Sequence, residues 1–479
     1  MNNYDVIIIG AGVIGSFVAR YLSQYNGKFL VLEKNNDVGD ETTNANSAIV
    51  HSGYDPLPNT KKAYFNVLGN KMMGDVCKEL DVHFIRNGSL TIGFNEEDHE
   101  TLKALLKRAE ENGVRARIIE SEELHKLEPK LNKECLYALY CEDSGIVCPF
   151  ELCVSAMENA MDNGVELALN KKVIGISKED GLYKIVTEDN SIYYSKAVVN
   201  ATGVYGDDVL SLIEKTDVHI NPRKGEYILL DHFDSSWLKR TLFMCPTKVG
   251  KGVLVSPTTS SNYIIGPSND LSTKEDVSTD SLTMQKLKET AKKLIGDIPY
   301  EYTIRTFAGT RANPDNDDFI IEESKINENF YNLIGIMSPG LASSPAIGEY
   351  AAKMIGEKLN LSKNSNFNPI VRPKLSLSKL GLTKYNELIK EHKEYGKVVC
   401  RCEKVTEGEI IDVIHRNCGA TTVKGVKKRI RSGFGKCQGT FCQEEVIRIL
   451  ARELNLPLED IKYSNKDSNI LKTPSKGGN

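Results

Sequence analysis

Four cysteines near the end of the chain stand at spacings that suit a metal centre. Cys400-x-Cys402 is followed by thirty-four intervening residues and then by Cys437-x-x-x-x-Cys442. Two close thiol pairs can converge on one centre, and zinc and iron–sulfur clusters both accept four thiolates. Near the start, Gly10-x-Gly12-x-x-Gly15 has the spacing of a dinucleotide turn. The first glycine permits the tight turn, the second lets backbone approach a pyrophosphate, and the third allows close helix–strand packing. Glu33 follows eighteen residues after Gly15. A carboxylate there accepts hydrogen bonds from ribose hydroxyls and repels a 2′-phosphate. These glycines alone do not separate FAD from NAD.

These residues need elements to hold them. Residues 4–9 form a short apolar run suited to a buried parallel strand, Ser16 to Tyr25 have helical spacing, and residues 28–33 read as a second strand. That is a βαβ opening, and it aims the first helix N-terminus at an anion. Helices are expected over 97–112, 151–163 and 343–358, and strands over 173–177, 183–187 and 197–200. Residues 218–270 are strand-rich. Residues 359–397 are polar and carry Pro369 and Pro373, which reads as a linker wrapping the first domain. A small helical unit follows, with a capping-box start at Thr406–Glu409 and a helix over 422–432 stopped by Gly433. The polar tail is expected to be disordered.

The chain has 479 residues, 40% hydrophobic and 26% charged, with a formal net charge of −4. This is enough for two or three soluble domains and offers no basic stripe for nucleic acid. The N-terminus lacks the pattern of a signal peptide, and no apolar run reaches the ~20 residues of a membrane span. The expected location is cytoplasmic, with peripheral membrane contact only through a partner. Eleven cysteines, an odd number, argue against a disulfide framework. Six fall before residue 250 and read as small core residues, as does Cys418.

Six further blocks carry a resemblance: Thr43 to Gly53, Val199 to Gly203, Pro222 to Tyr227, Lys251 to Pro267, Phe307 to Arg311, and Ser338 to Pro345. In order and spacing they resemble the FAD-dependent oxidoreductases related to D-amino-acid oxidase and glycerol-3-phosphate dehydrogenase. The resemblance covers residues 4 to about 360 and stands closest to the glycerol-3-phosphate branch. Separately, Val399–Glu409 and Gly425–Cys442 resemble the bacterioferritin-associated-ferredoxin-like domain, which holds a 2Fe–2S cluster. Flavin domain followed by cluster domain resembles the catalytic subunit of the anaerobic glycerol-3-phosphate dehydrogenase type.

The resemblance implies an α/β fold: a Rossmann-like FAD-binding domain, an inserted mixed-sheet substrate domain and a small helical iron–sulfur domain. The expected segments are 1–85, 145–215 and 325–360 for FAD; 86–144 and 216–324 for substrate; 361–397 as linker; 398–460 for the cluster; and 461–479 as tail. FAD contacts are expected from Gly10, Gly12, Val13, Ile14, Gly15, Glu33, Lys34, Thr42, Thr43, Ser47, Ala201, Thr202, Gly203, Gly340, Leu341, Ser343 and Ser344. Cys400, Cys402, Cys437 and Cys442 would hold the 2Fe–2S cluster.

Such enzymes oxidise a C–H bond beside oxygen or nitrogen, which needs a base, an anion anchor and a closed pocket. His51 is the candidate base, since its ordinary pKa of about 6.5 suits proton abstraction near neutrality. Arg311 is the candidate anchor, because its fork matches phosphate or carboxylate; the competing reading is a surface ion pair with Asp315, Asp317 or Asp318. Lys251 would add a second positive charge. The basic run Lys424, Lys427, Lys428, Arg429, Arg431 and Lys436 reads as a solvated helix face, with two alternatives: offsetting cluster charge or docking an acidic redox partner. The implied reaction is oxidation of glycerol 3-phosphate, with electrons leaving through the cluster to a partner subunit or quinone. 2-Hydroxyglutarate, an amino acid or a secondary amine are alternative substrates, and an electron relay without its own substrate is an alternative role.

Overall fold

The computed structural model describes residues 3–246 and 252–472. β1 (Asn3–Ile9), α1 (Val13–Leu22) and β2 (Phe29–Leu32) form the expected opening unit. β1 is the centre of a parallel core, paired on one side with β2 and on the other with the strand Ile192–Asn200. Strands 166–168 and 330–334 extend it in parallel, and 173–179, 182–187 and 320–323 add antiparallel edges. β1 is apolar at consecutive positions because helices and strands cover both of its faces. α1 packs with helices Pro149–Asp162 and Gly340–Lys358 over one face, burying Phe17, Val18, Leu152 and Ile347. This doubly wound domain is assembled from separated segments of chain.

A second sheet of nine strands uses residues between 89 and 141 and between 220 and 314. Its longest pair, 220–230 with 303–314, is antiparallel, whereas 241–244 runs parallel to 89–93. The mixed sheet is therefore as expected. The edge of this unit differs, because Ile320–Glu323 pairs with 330–334 in the flavin sheet.

The segment expected as a plain linker also differs. Residues 364–371 do strap the first domain: the Val371 N–H donates to Glu79 O at 2.9 Å, and Val371 is buried in its core. Helical structure then forms over Leu377–Glu391, broken at Gly381, whose φ of +72° lies outside the helical region. Its Tyr385 is buried, stacks edge-on with Tyr395 and lies 3.1 Å from the Thr406 hydroxyl, so docking on the last domain gives the helix an apolar contact that local composition did not reveal. The C-terminal domain packs helices 407–414, 423–430 and 443–454 around Ile410, Val426, Val446 and Leu450. The capping box at Thr406 and Glu409 is present. The tail is not free from residue 461: Ile461 is buried, and the carbonyls of Lys462 and Tyr463 accept from Val423 and Lys424 N–H. These bonds satisfy orphan donors of the helix start, which fixes the segment. Residues 473–479 lie outside the described residues. Among the described residues, no helix is long and apolar enough to cross a membrane.

The basic run does not form a solvated face. Lys427, Lys428 and Arg429 are buried where the cluster domain meets the flavin domain. Arg429 grips Asp37 in bidentate fashion at 2.9 and 3.0 Å, and Lys428 reaches Asp37 and Asp40 at 2.8 Å. Arg416 meets Glu158 at 2.8 Å in a second buried pair between the domains. Although burial opposes ionisation, the facing Arg429 and Lys428 charges hold the Asp37 carboxyl well below the usual carboxylate range.

Arg429→Ala would leave Asp37 facing only Lys428, and loss of one partner of a buried pair costs about 3–5 kcal/mol. Thermal unfolding should show a large drop, and hydrogen exchange should rise first at the domain boundary. Asp37 stabilises the fold above the ordinary carboxylate pKa, and this contribution should fade as pH falls below about 4. An Arg429→Ala chain that unfolds like the parent would remove the ion pair from the account.

Candidate active site and thiol cradle

A cavity of about 630 Å³ runs along the carboxyl ends of the flavin sheet and under the second sheet. One end is set by the βαβ unit. Gly10 has φ +102°, and a Cβ there would meet Ala201 O at 2.6 Å; one on Gly15 would lie 1.9 Å from Gly10 O. Only glycine lets these turns close. Glu33 is buried, and its carboxylate accepts from Ala11 N–H at 2.8 Å and Asn35 N–H at 2.9 Å. Burial pushes its pKa up to about 6 against these bonds. Lys34 pairs with Glu41 at 2.9 Å and lies 3.9 Å over the Tyr205 ring. The Thr43 hydroxyl accepts from Val13 N–H at 3.1 Å, and the Thr42 hydroxyl donates to Thr310 O at 2.8 Å, tying the loop to the second sheet.

Two helix N-termini border the cavity, at Gly12 and at Pro339; neither N-cap residue supplies a side-chain cap, although the Thr43 hydroxyl takes the Val13 N–H of the first. Their N–H groups and positive dipole ends suit a pyrophosphate and a partial negative charge on a ring. Gly12, Val13, Ile14, Ala201, Thr202, Gly203, Gly340 and Leu341 all line the cavity. Gly15, Ser343 and Ser344 do not border it among the described residues. Gly15 packs against Gly10, and the two hydroxyls donate to Pro339 O and Leu341 O within their own helix.

His51, Ser47 and Arg311 border the same cavity, although the sequence separates His51 and Arg311 by 260 positions. His51 stacks on Phe243 with centroids 5.6 Å apart, and its carbonyl accepts from Asn66 and Asn70. Arg311 donates to Ser268 O at 2.9 Å and Asn269 Oδ1 at 3.3 Å. Its facing strand carries Gly225, where a Cβ would meet the guanidinium at 2.2 Å, so a larger residue would displace the fork. The surface-pair reading is not what forms: Asp317 pairs with Lys62, Asp318 accepts from Lys61 and Lys62 N–H, and Asp315 accepts from Asn221. Lys251 lies outside the described residues. Sequence reasoning missed Tyr227, whose hydroxyl stands 3.2 Å from Ser47 Oγ, although it ends the Pro222–Tyr227 block. It also missed Tyr205 and Lys171–Val173, which come from distant turns without a motif.

In the last domain, Cys402 and Cys437 have sulfurs 3.8 Å apart and lie toward the surface, while Cys400 and Cys442 are buried. A hydrogen bond with the Cys442 thiol draws Cys400 down to about 5, helped by Gly433 and Glu403 N–H. Gly435 allows close approach, since a Cβ there would lie 2.3 Å from Cys402 Cβ. The sulfurs thus stand in two pairs, Cys402 with Cys437 and Cys400 with Cys442, several met by backbone N–H, and this thiol chemistry suits a thiolate-held cluster. Cys418 instead lies in the core beside Arg429, as expected of a packing residue.

Residues 5–354 match the family described as FAD dependent oxidoreductase. The chain belongs to this family. Residues 398–452 match the BFD-like [2Fe-2S] binding domain. The oxidoreductase is 43% identical to a glycerol 3-phosphate dehydrogenase of Caloramator mitchellensis, with 99% of each chain covered. It is 22% identical to one subunit of the anaerobic glycerol-3-phosphate dehydrogenase of Escherichia coli K12, covering 94% of this chain and 88% of that one. The solved, FAD-bound L-alpha-glycerophosphate oxidase of Mycoplasma pneumoniae superposes with a TM-score of 0.73 at 31% identity, covering 78% of this chain and 99% of its own. This oxidoreductase thus takes FAD and a 2Fe–2S cluster, and the cavity and the four thiols are where its residues fit them.

Ribose hydroxyls donating to Glu33 would favour its carboxylate form. FAD affinity should therefore strengthen as pH rises through about 6, the value burial imposes on Glu33. Glu33→Gln should flatten that dependence in a fluorescence titration of apoprotein. A Glu33→Gln chain with the parent's pH profile would place the ribose contact elsewhere.

Proposed function

We propose that this oxidoreductase converts glycerol 3-phosphate to dihydroxyacetone phosphate and sends the electrons out through its 2Fe–2S centre. The observation that carries the reading is the shared cavity of His51 and Arg311: a base and a guanidinium that no carboxylate neutralises among the described residues. The same cavity continues to the glycine turn and Glu33, which supports one site with a cofactor end and a substrate end. When bound, FAD supplies a hydride acceptor and the cluster a one-electron carrier.

The chain's residues divide the remaining work. Arg311 binds the phosphate with its fork and orients the carbinol carbon. His51 takes the hydroxyl proton as hydride leaves that carbon, giving ketone and imidazolium. Ser47 and Tyr227 supply hydroxyls that hold the substrate's remaining oxygen. Exit through the cluster is supported by a difference between relatives. The oxidase accounts for 78% of this chain, whereas the Caloramator dehydrogenase accounts for 99%.

Anaerobic mixing with glycerol 3-phosphate should bleach the visible flavin band of the purified holoprotein. Bleaching by 2-hydroxyglutarate or an amine in its place would reassign the substrate. No bleaching by any of them, with both cofactors intact, would favour a pure electron relay. His51→Ala should lower turnover by about 10²–10⁴-fold with unchanged FAD content. Arg311→Lys should raise KM about 10–100-fold, as expected for loss of a charge-assisted hydrogen bond. Parent-like turnover in His51→Ala would remove this histidine from the mechanism.

A further inference from the structure

The thiol cradle has an inner and an outer side. Cys400 and Cys442 are buried beside Ser432, and nearby Phe434 stacks on Phe150 of the flavin domain with centroids 5.8 Å apart. Cys402 is exposed and Cys437 is half-buried beside it. Phe441, the residue before Cys442, is 86% exposed, more than any other large apolar residue among those described. Its N–H nevertheless bonds the Cys437 sulfur, so the side chain projects from the cradle's own rim.

Three cations stand in the loops that carry the cysteines. Arg401 lies between the first two cysteines, Lys404 follows Cys402 by two residues, and Lys436 precedes Cys437; all three are exposed. Among the described residues, none of the three has an ion-pair or hydrogen-bond partner for its side chain. The carboxylates nearest in sequence pair with other cations: Glu403 with Arg431, Glu444 with Arg448 and Glu445 with Lys397. Lys427, Lys428 and Arg429 of the basic run are buried, whereas these three cations are exposed, each within two residues of one of the four cysteines. An exposed aromatic and exposed, unpaired cations on the same cysteine loops have the make-up of an interface anchor with a polar rim. Solvated charges of one sign steer an oppositely charged partner to a productive encounter.

We propose that Arg401, Lys404 and Lys436, around Phe441, form the docking site for an acidic one-electron carrier protein, which collects electrons at the Cys402–Cys437 side of the cluster. The assignment rests on the proposed use of the cluster as electron exit. In each encounter the reduced cluster loses one electron and the carrier's oxidised centre gains one, with no atom transferred. Two encounters clear the two electrons of one substrate turnover.

Dithionite-reduced holoprotein, freed of excess reductant, bypasses the substrate site and so separates this proposal from the choice of substrate. Oxidised flavodoxin serves as the acidic probe and cytochrome c as the basic one. Stopped-flow rate constants for flavodoxin should fall about tenfold or more between low and about 0.3 M salt, where the Debye length shrinks to a few ångströms. Arg401→Glu/Lys404→Glu/Lys436→Glu should give a similar loss at low salt, and weaker flavodoxin binding by calorimetry, with the reduced-cluster EPR signal and flavin content unchanged. Should the triple variant fail to load its cluster, Lys404→Glu and Phe441→Ser read the charge and the anchor singly through the same Kd. Rates and Kd indifferent to salt and to these changes would overturn the proposal. So would faster transfer to cytochrome c, or binding only to phosphatidylglycerol vesicles.

Discussion

Arg429 lies buried with both edges of its guanidinium occupied, one against the Asp37 carboxylate and one against Cys418 O. Placing these charges away from water is costly, and only the near-ideal fork geometry, together with Lys428, offsets the desolvation. The rest of the architecture depends on this contact. Asp37 and Asp40 belong to the loop that leaves β2 after Glu33, and Gly39 to Thr43 of that loop line the dinucleotide cavity. The helix supplying Arg429 leads through Ser432 into the cysteine loop. One ion pair therefore fixes the wall of the flavin cavity and the inner side of the thiol cradle relative to each other.

The two cofactor regions use the backbone in the same way. At the cavity, two helix starts and a turn with a positive-φ glycine offer backbone N–H groups suited to an anionic ligand. At the cradle, N–H groups of Gly433, Glu403, Gly439 and Phe441 meet thiol sulfurs. Both arrangements stabilise negative charge without spending a side-chain cation on it. The cations stand elsewhere: Arg311 at the cavity edge, Lys428 and Arg429 between the domains, and Arg401, Lys404 and Lys436 facing solvent.

The second sheet has a narrower task. It delivers Arg311 to the cavity edge by pairing 303–314 with 220–230, placing the guanidinium over Gly225. Nearby, Lys224 and Glu226 are buried in a closed ion pair with Asp276. The Lys-Gly-Glu-Tyr block is thus chiefly structural at its charged positions and faces the cavity through its tyrosine.

The sequence by itself determined the redox class of the chain. Glycine, acid and cysteine spacings are local requirements of close backbone approach and metal ligation, and the helices and strands of the opening unit follow from local periodicity. Gly10, Glu33 and the four cysteines were legible for that reason. The tertiary structure decided which charges are available. Lys428 and Arg429 have the same local pattern as any solvated basic helix, and only the arrival of Asp37 and Asp40, nearly four hundred residues earlier, makes them buried partners. The helix at 377–391 and the packed segment after 461 were hidden for the same reason, since each is held by a surface brought to it by distant chain. Arg311 shows the reverse case. Its acidic neighbours in sequence are drawn to Lys61, Lys62 and Asn221, which leaves its guanidinium at the cavity edge bonded to Ser268 O and Asn269 Oδ1 and to no carboxylate among the described residues. Charge pairing depends on distance in space, and chain order alone does not give that distance.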